Sequence, residues 1–124
     1  MADKPAVVLV HGFWGNAGHW AKVIVELNRR GYTSLHAVEN PLTSLADDAE
    51  RTRTMIRQID GPVVLVGHSY GGAVISEAGD LPNVGALVYI AAFAPEVGES
   101  LAQISEEQPP AALDNAAPDS DGFL

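Results

Sequence analysis

The sequence predicts an α/β fold, in which a parallel sheet of about four strands carries helices on both faces. Short apolar runs rich in β-branched residues alternate with longer segments whose apolar residues recur at helical spacing. Continuous apolar runs are typical of strands that are covered on both faces, and the intervening helices supply the crossovers of a parallel sheet. Glycine-rich turns follow the first and third runs, so both turns are expected at the carboxyl ends of strands.

Composition narrows the class of protein and its partners. The chain has 124 residues, of which 47% are hydrophobic, which suits a globular domain. Its net charge of −9 argues against nucleic acid and anionic membranes as partners. The absence of cysteine excludes disulfides and thiol chemistry, and the four histidines lack ligand spacing, so we expect no metal and no cofactor. The first residues lack the apolar region of a signal peptide, and we expect a cytoplasmic protein.

The first half of the chain predicts two strand and helix pairs. Residues 6–10 form an apolar strand, followed by a helix whose apolar stripe contains Trp20, Val23, Ile24 and Leu27 and which Gly31 ends. Residues 32–38 predict a second strand, closed by Asn40-Pro41. A second helix starts at Ser44, whose spacing to Asp47 resembles a capping box, and Gly61-Pro62 ends it.

The charged residues of this second helix have a structural interpretation. Acids near its start and bases further on complement the helix dipole, which favours a solvated helix face over a binding patch. The residues concerned are Asp47, Asp48, Glu50, Arg51, Arg53 and Arg57.

The second half predicts a third strand at 63–66, a helix at about 70–79 and a fourth strand at 85–90. We expect residues 1–94 to form the core. Residues 95–124 are acidic, proline-rich and without a basic residue, and we interpret them as the start of a lid, a linker or a cut end.

Ser69 stands in the turn between the third strand and its helix. Glycines at both second neighbours, Gly67 and Gly71, permit the tight turn that presents a serine hydroxyl above a sheet, and Gly72 follows. Its position at a helix N-terminus favours an oxyanion forming on a substrate. Ser69 is therefore the candidate nucleophile.

The loop after the first strand supplies the other half of the candidate site. A tetrahedral intermediate needs two preorganised donors, and we expect the backbone amides of Tyr70 and Phe13 to provide them. Gly12 and Gly15 allow close approach of this loop, while Phe13, Trp14 and Trp20 are expected to form an apolar pocket wall. We expect Val10 and Val66 side by side, because both loops must meet.

None of the four histidines is a strong candidate for the general base. His68 adjoins Ser69, and adjacent residues on such a turn diverge. His11 is expected to order its loop. His19 lies near the start of the first helix and His36 in the second strand.

These motifs make the chain resemble the α/β-hydrolase superfamily, and within it the small esterase and hydroxynitrile-lyase branch that includes plant methylesterases and bacterial pyrethroid-type esterases. The similarity rests on His11-Gly12-Phe13-Trp14-Gly15, on the turn from Gly67 to Gly72, on Trp20 and on residues 87–95. It implies a serine hydrolase of small carboxylic esters, with a small-molecule ester as partner.

The resemblance also implies an acid and a histidine after later strands, yet no histidine follows His68. The chain therefore looks like the N-terminal half of a hydrolase that lacks the later strands, and we expect the chain alone to be almost inactive. Glu96 and Glu99 are minor candidates for the acid. A hydroxynitrile lyase and a non-catalytic ligand-binding protein of this fold remain the alternatives.

Overall fold

The computed structural model of the protein describes residues 4–92. Four strands and three α-helices alternate along this part of the chain. The strands are β1 Ala6–Val10, β2 Leu35–Val38, β3 Val63–His68 and β4 Val84–Ile90; the helices are α1 Ala21–Arg29, α2 Leu45–Arg57 and α3 Gly71–Ala78. A 3-10 turn at Ala17–Trp20 precedes α1. The acidic segment 95–124, with Glu96 and Glu99, lies outside the described residues.

All four strands are parallel, in the order β2-β1-β3-β4. β1 and β3 are therefore the two central strands of the described sheet. Val10 pairs with Gly67 and Leu9 with Val66, so the ends of β1 and β3 lie side by side. This register confirms the sequence-based expectation. It brings the two glycine-rich loops together at the carboxyl end of the sheet.

Alternating side chains of the central strands build two cores, one on each face. On the first face Val8 and Leu65 pack with Ile56 of α2 and Ile75 of α3, all fully buried. On the other face Val7, Leu9 and Val66 pack beneath Trp20 and the half-buried apolar residues of α1. The prediction of helices on both faces is confirmed.

Three strand boundaries differ from the sequence-based prediction, and the smallest difference is that β4 begins at Val84 rather than at residue 85. β2 begins at Leu35 rather than residue 32, because the Tyr32 amide donates to Leu27 O and so belongs to the end of α1. β3 extends two residues further than expected, since Gly67 and His68 still pair with β4.

The start of α2 is only partly the solvated face that the charges predicted. Ser44 caps the helix by accepting a hydrogen bond from the Asp47 amide, at 3.0 Å. Asp48, one residue on, is completely buried, and Arg53 is half-buried with its guanidinium donating to Glu77 O at 2.7 Å. The solvated interpretation was therefore wrong for these two side chains.

β4 differs from the central strands because one of its edges is open among the described residues. Its residues Leu87, Val88, Tyr89 and Ile90 are 36–44% exposed, whereas Val8 and Val10 of β1 are fully buried. No helix within residues 4–92 is long and apolar enough to cross a membrane.

Candidate active site at the ends of β1 and β3

Ser69 has a backbone conformation that L-residues rarely adopt. It lies between β3 and α3 with φ +55°, in the left-handed region. Its amide donates to Ile90 O at 3.2 Å, and its carbonyl accepts from the Gly72 amide at 3.0 Å. Non-glycine residues at positive φ carry strain that the surrounding structure must hold, and such residues cluster at functional sites.

The glycines around Ser69 leave no room for side chains. A Cβ on Gly67 would lie 2.6 Å from the carbonyl carbon of Gly71. A Cβ on Gly71 would collide with the carbonyl oxygen of Val10, at the end of β1. The turn therefore fits beneath Ser69 only because both positions are glycine.

The loop after β1 approaches Ser69 closely. A Cβ on Gly12 would lie 3.1 Å from Ser69 Cβ and 3.5 Å from its Oγ. The loop turns there, with the Gly15 amide donating to Gly12 O at 3.2 Å. The two loops that the sequence predicted as one site therefore meet at the serine.

The backbone amides of Phe13 and Tyr70 donate no hydrogen bond to any acceptor within residues 4–92. No residue in this part of the chain therefore prevents them from donating to a ligand. Tyr70 immediately precedes α3, where the helix dipole is positive. The aromatic rings of Phe13 and Tyr70 stack with centroids 4.1 Å apart and planes at 13°. The stack therefore links the two residues whose amides are predicted from the sequence to bind the oxyanion.

His11 anchors the start of the loop and is buried. Its Nε2 accepts the Asn40 amide at 3.0 Å, so this nitrogen carries no proton and Nδ1–H donates to Gly12 O at 2.7 Å. The Asn40 side chain in turn donates to His11 O at 3.0 Å. The nearby Glu39 carboxylate, 3.9 Å from Nε2, is therefore not ion-paired with a protonated ring. Because both ring nitrogens are engaged, His11 is a structural histidine.

The far end of the loop has its own attachments. The Ala17 amide donates to the Glu39 carboxylate at 2.6 Å, and Asn16 caps the 3-10 turn through the Gly18 amide at 2.8 Å. A Cβ on Gly15 would meet the His19 ring at 2.7 Å. Residues 39 and 40, which follow β2, thus hold both ends of the loop.

Asp48 reaches the site from α2. Its Oδ2 accepts the Tyr70 hydroxyl at 2.5 Å, and its Oδ1 accepts the Leu42 amide at 2.8 Å. Burial, together with the hydrogen bond to Asp48 and the negative charge of its carboxylate, raises the pKa of Tyr70 above its usual range. The Tyr70 phenol therefore stays protonated and acts as a donor.

None of the remaining histidines forms a hydrogen bond with Ser69. His68 is exposed and its ring meets Trp20 edge-on, with centroids 6.4 Å apart, and His36 Nε2 lies 3.0 Å from Ser34 Oγ. Among the described residues the Ser69 hydroxyl has no hydrogen-bond partner. This part of the chain therefore contains no base that is hydrogen-bonded to Ser69, and it contains no group of three or more potential metal ligands.

Two clefts flank the site, and they divide the aromatic residues that the sequence placed on one pocket wall. Trp20 lines a cleft of about 280 Å³ on the α1 face, together with His11, His19, Val23 and His68. Phe13 lines a cleft of about 190 Å³ on the α2 face, with Tyr70, Asp48 and residues 42–45. Trp14 is 70% exposed. A single wall was the wrong expectation, because Phe13 and Trp20 pack on opposite faces of the sheet.

Comparison with known proteins identifies the family. The profile of the Alpha/beta hydrolase family matches residues 7–124, which is most of the chain. The chain belongs to the alpha/beta hydrolase family. The family resemblance that the motifs implied is confirmed.

Relatives of the chain include proteins named as esterases. It is 36% identical over 107 residues to a carbendazim hydrolyzing esterase of a Nocardioides species, an alignment that covers 76% of this chain and 44% of that protein. It is 31% identical over 121 residues to methylesterase 7 of Arabidopsis thaliana, covering 85% and 46%. The chain spans about half the length of the curated relatives it matches.

A solved structure agrees with the fold. A pyrethroid hydrolase from Sphingobium faniae aligns with a TM-score of 0.76 at 24% identity, covering 95% of this chain and 53% of that one. This likeness supports the arrangement of strands and helices.

Three residues that organise the candidate site were not predicted from the sequence: Glu39, Asn40 and Asp48. Asn40 was interpreted only as the end of a strand, and Asp48 only as a charge at a helix start. The one available signal for Asp48 was its position one helical turn before Thr52, on the face that α2 buries.

Proposed function

We propose that the whole protein is a serine hydrolase of carboxylic esters and that Ser69 is its nucleophile. The observation that carries this proposal is the left-handed conformation of Ser69, at φ +55° between two glycines that admit no side chain. A strained strand-to-helix turn of this kind presents a serine hydroxyl to a bound acyl group. The esterase names among its relatives support the reaction class.

In this reaction Ser69 Oγ attacks the ester carbonyl carbon and loses its proton to a histidine. The carbonyl oxygen becomes an oxyanion that accepts hydrogen bonds from the Phe13 and Tyr70 amides. Collapse of the intermediate expels the alcohol, which takes the proton, and water then releases the acid from the acyl-enzyme. We place the histidine and its acid partner outside residues 4–92, since Ser69 has no partner among these residues.

Labelling and turnover of the whole protein, including any residues that follow Leu124, test this proposal. A fluorophosphonate should modify Ser69, as read by peptide mass spectrometry, and Ser69→Ala should abolish both labelling and hydrolysis of p-nitrophenyl acetate. Ser76→Ala is a matched control, because Ser76 is a half-buried serine of α3 whose hydroxyl donates to Gly72 O at 2.9 Å.

The proposal fails if Ser69→Ala retains turnover while the label resides on another residue. Cleavage of mandelonitrile without ester hydrolysis would instead identify a hydroxynitrile lyase. Ligand binding with neither activity would identify a non-catalytic member of the family.

A further inference from the structure

The buried Asp48 requires an explanation beyond the fold. Its side chain is fully buried, and no cationic side chain of residues 4–92 pairs with it. A carboxylate removed from water without a cation is costly unless hydrogen bonds replace its hydration. Its place in the first turn of α2 offsets part of this cost through the helix dipole.

The donors that satisfy Asp48 come from the site. The Tyr70 hydroxyl donates to Oδ2 at 2.5 Å, and the Leu42 amide donates to Oδ1 at 2.8 Å. Tyr70 is buried, and its ring stacks on Phe13 with a centroid separation of 4.1 Å. A continuous series of contacts therefore runs from Asp48 through the Tyr70 ring to Phe13.

The two ends of this series are not held equally. Tyr70 is fixed by its buried ring and by the start of α3, whereas Phe13 is 51% exposed in a glycine-containing loop. Among the described residues, the Tyr70 ring is the one aromatic ring that stacks on Phe13. A shift of the Tyr70 ring would be transmitted to Phe13 and to the backbone beside it.

We infer that Asp48 is a positioning residue for oxyanion stabilisation: by binding the Tyr70 hydroxyl it fixes the Tyr70–Phe13 stack and thereby the spacing of their two backbone amides. The inference rests on the proposed function of these amides. Oxyanion donors act because they are already aligned when charge develops, and a displacement of about 1 Å can lower the rate by about 100-fold. Asp48 touches neither substrate nor reacting atoms in this account.

Two variants of the whole protein separate positioning from folding. Tyr70→Phe retains the ring and removes the donor, and Asp48→Asn retains the shape of the acceptor but lacks its second oxygen. Each should lower kcat for p-nitrophenyl acetate about tenfold while KM stays within about twofold, because the loss occurs in the transition state. The double variant should lose no more of kcat than the more impaired of the two single variants, since both residues act through one hydrogen bond.

Inhibitor binding supplies a readout that a structural role would not move. A trifluoromethyl ketone forms a tetrahedral adduct with an oxyanion, so its Ki should rise by the factor by which kcat falls. The non-fluorinated ketone should bind equally well to all variants. Ile56→Val removes one buried methylene group from α2, about two helical turns from Asp48. It should lower thermal stability without changing the Ki of either ketone.

Unchanged kcat and an unchanged inhibitor ratio in Tyr70→Phe would overturn the inference and leave Asp48 with a structural role alone. If Asp48→Asn does not fold, Tyr70→Phe decides the matter. Ser69→Ala, measured in parallel, distinguishes a failure of the proposed function from a failure of the positioning role of Asp48. Turnover that survives Ser69→Ala overturns the proposed function, whereas turnover lost there and unchanged in Tyr70→Phe overturns only the positioning role.

Discussion

The turn after β3 and the loop after β1 meet at Ser69, but they are held by different means. The turn is fixed by its own backbone: a Cβ at Gly67 or Gly71 would collide with backbone atoms. The loop is fixed by remote side chains, since Asn40 holds His11 from 29 residues away and Glu39 holds Ala17 from 22 residues away. One half of the site therefore depends on the absence of side chains, and the other half depends on their presence.

This difference predicts how substitutions affect the turn and the loop. A steric conflict between packed backbone segments cannot be relieved by rotating a side chain, so the turn should tolerate no substitution at its glycines. A lost side-chain hydrogen bond leaves the loop free to move while the sheet stays intact. Substitutions in the turn should mainly lower stability, and those around the loop should mainly change local order.

The largest effect is expected from Gly71→Ala. The new methyl group would collide with Val10 O, at the junction of the two central strands, and we expect the free energy of unfolding to fall by about 3 kcal/mol. Urea unfolding of the whole protein measures this change.

Two other glycines serve as controls for Gly71→Ala. Gly61→Ala has open space but φ +93°, and should cost about 1–2 kcal/mol. Gly85→Ala, whose Cβ would lie 3.9 Å from the nearest atom, should change stability by less than about 0.5 kcal/mol. Equal effects at all three positions would contradict the steric account of the turn.

Asn40→Ala tests the loop and should have an intermediate effect. It leaves His11 O without its donor, so we expect a loss of about 2 kcal/mol in unfolding free energy and faster hydrogen exchange at the Gly15 and Ala17 amides. The matched control is Asn83→Ala, whose side-chain hydrogen bonds are long, at 3.3–3.4 Å. Hydrogen exchange of the loop amides that is no faster in Asn40→Ala than in Asn83→Ala would contradict the conclusion that residues 39 and 40 hold the loop in place.

The smallest effect concerns the Tyr70 side chain, which joins the two halves. Its pKa is raised by burial, and further by the hydrogen bond to Asp48 and the charge of that carboxylate. Above pH 10.0, the ordinary pKa of tyrosine, the unfolded chain therefore loses this proton before the folded chain does. The contribution of Tyr70 to the free energy of unfolding should be complete below that pH. It should fall by about 1 kcal/mol at one pH unit above it.

Urea unfolding between pH 8 and pH 11 measures this fall. Tyr70→Phe removes the ionisable group, so the variant should show a shallower alkaline loss than the parent protein. Identical alkaline slopes would show that Tyr70 titrates at an ordinary pH and is not held by Asp48.

The same comparison explains how much could be predicted from the sequence. The four strands and the Ser69 turn were predictable, because continuous apolar runs and glycines at fixed offsets are local features. Asp48 was not, since an acid in a first helical turn is ordinarily solvated and its partner Tyr70 lies 22 residues away. The division of Phe13 and Trp20 between two clefts could not be predicted either, because it depends on which face of the sheet each loop residue approaches.

A crystal structure of the whole protein after reaction with a phosphonate ester tests the central claim most directly, because the adduct copies the tetrahedral intermediate. We predict phosphorus bonded to Ser69 Oγ, with one phosphonyl oxygen about 2.7–3.1 Å from the backbone nitrogens of both Phe13 and Tyr70. An adduct on another residue, or a phosphonyl oxygen directed away from these two amides, would contradict the account.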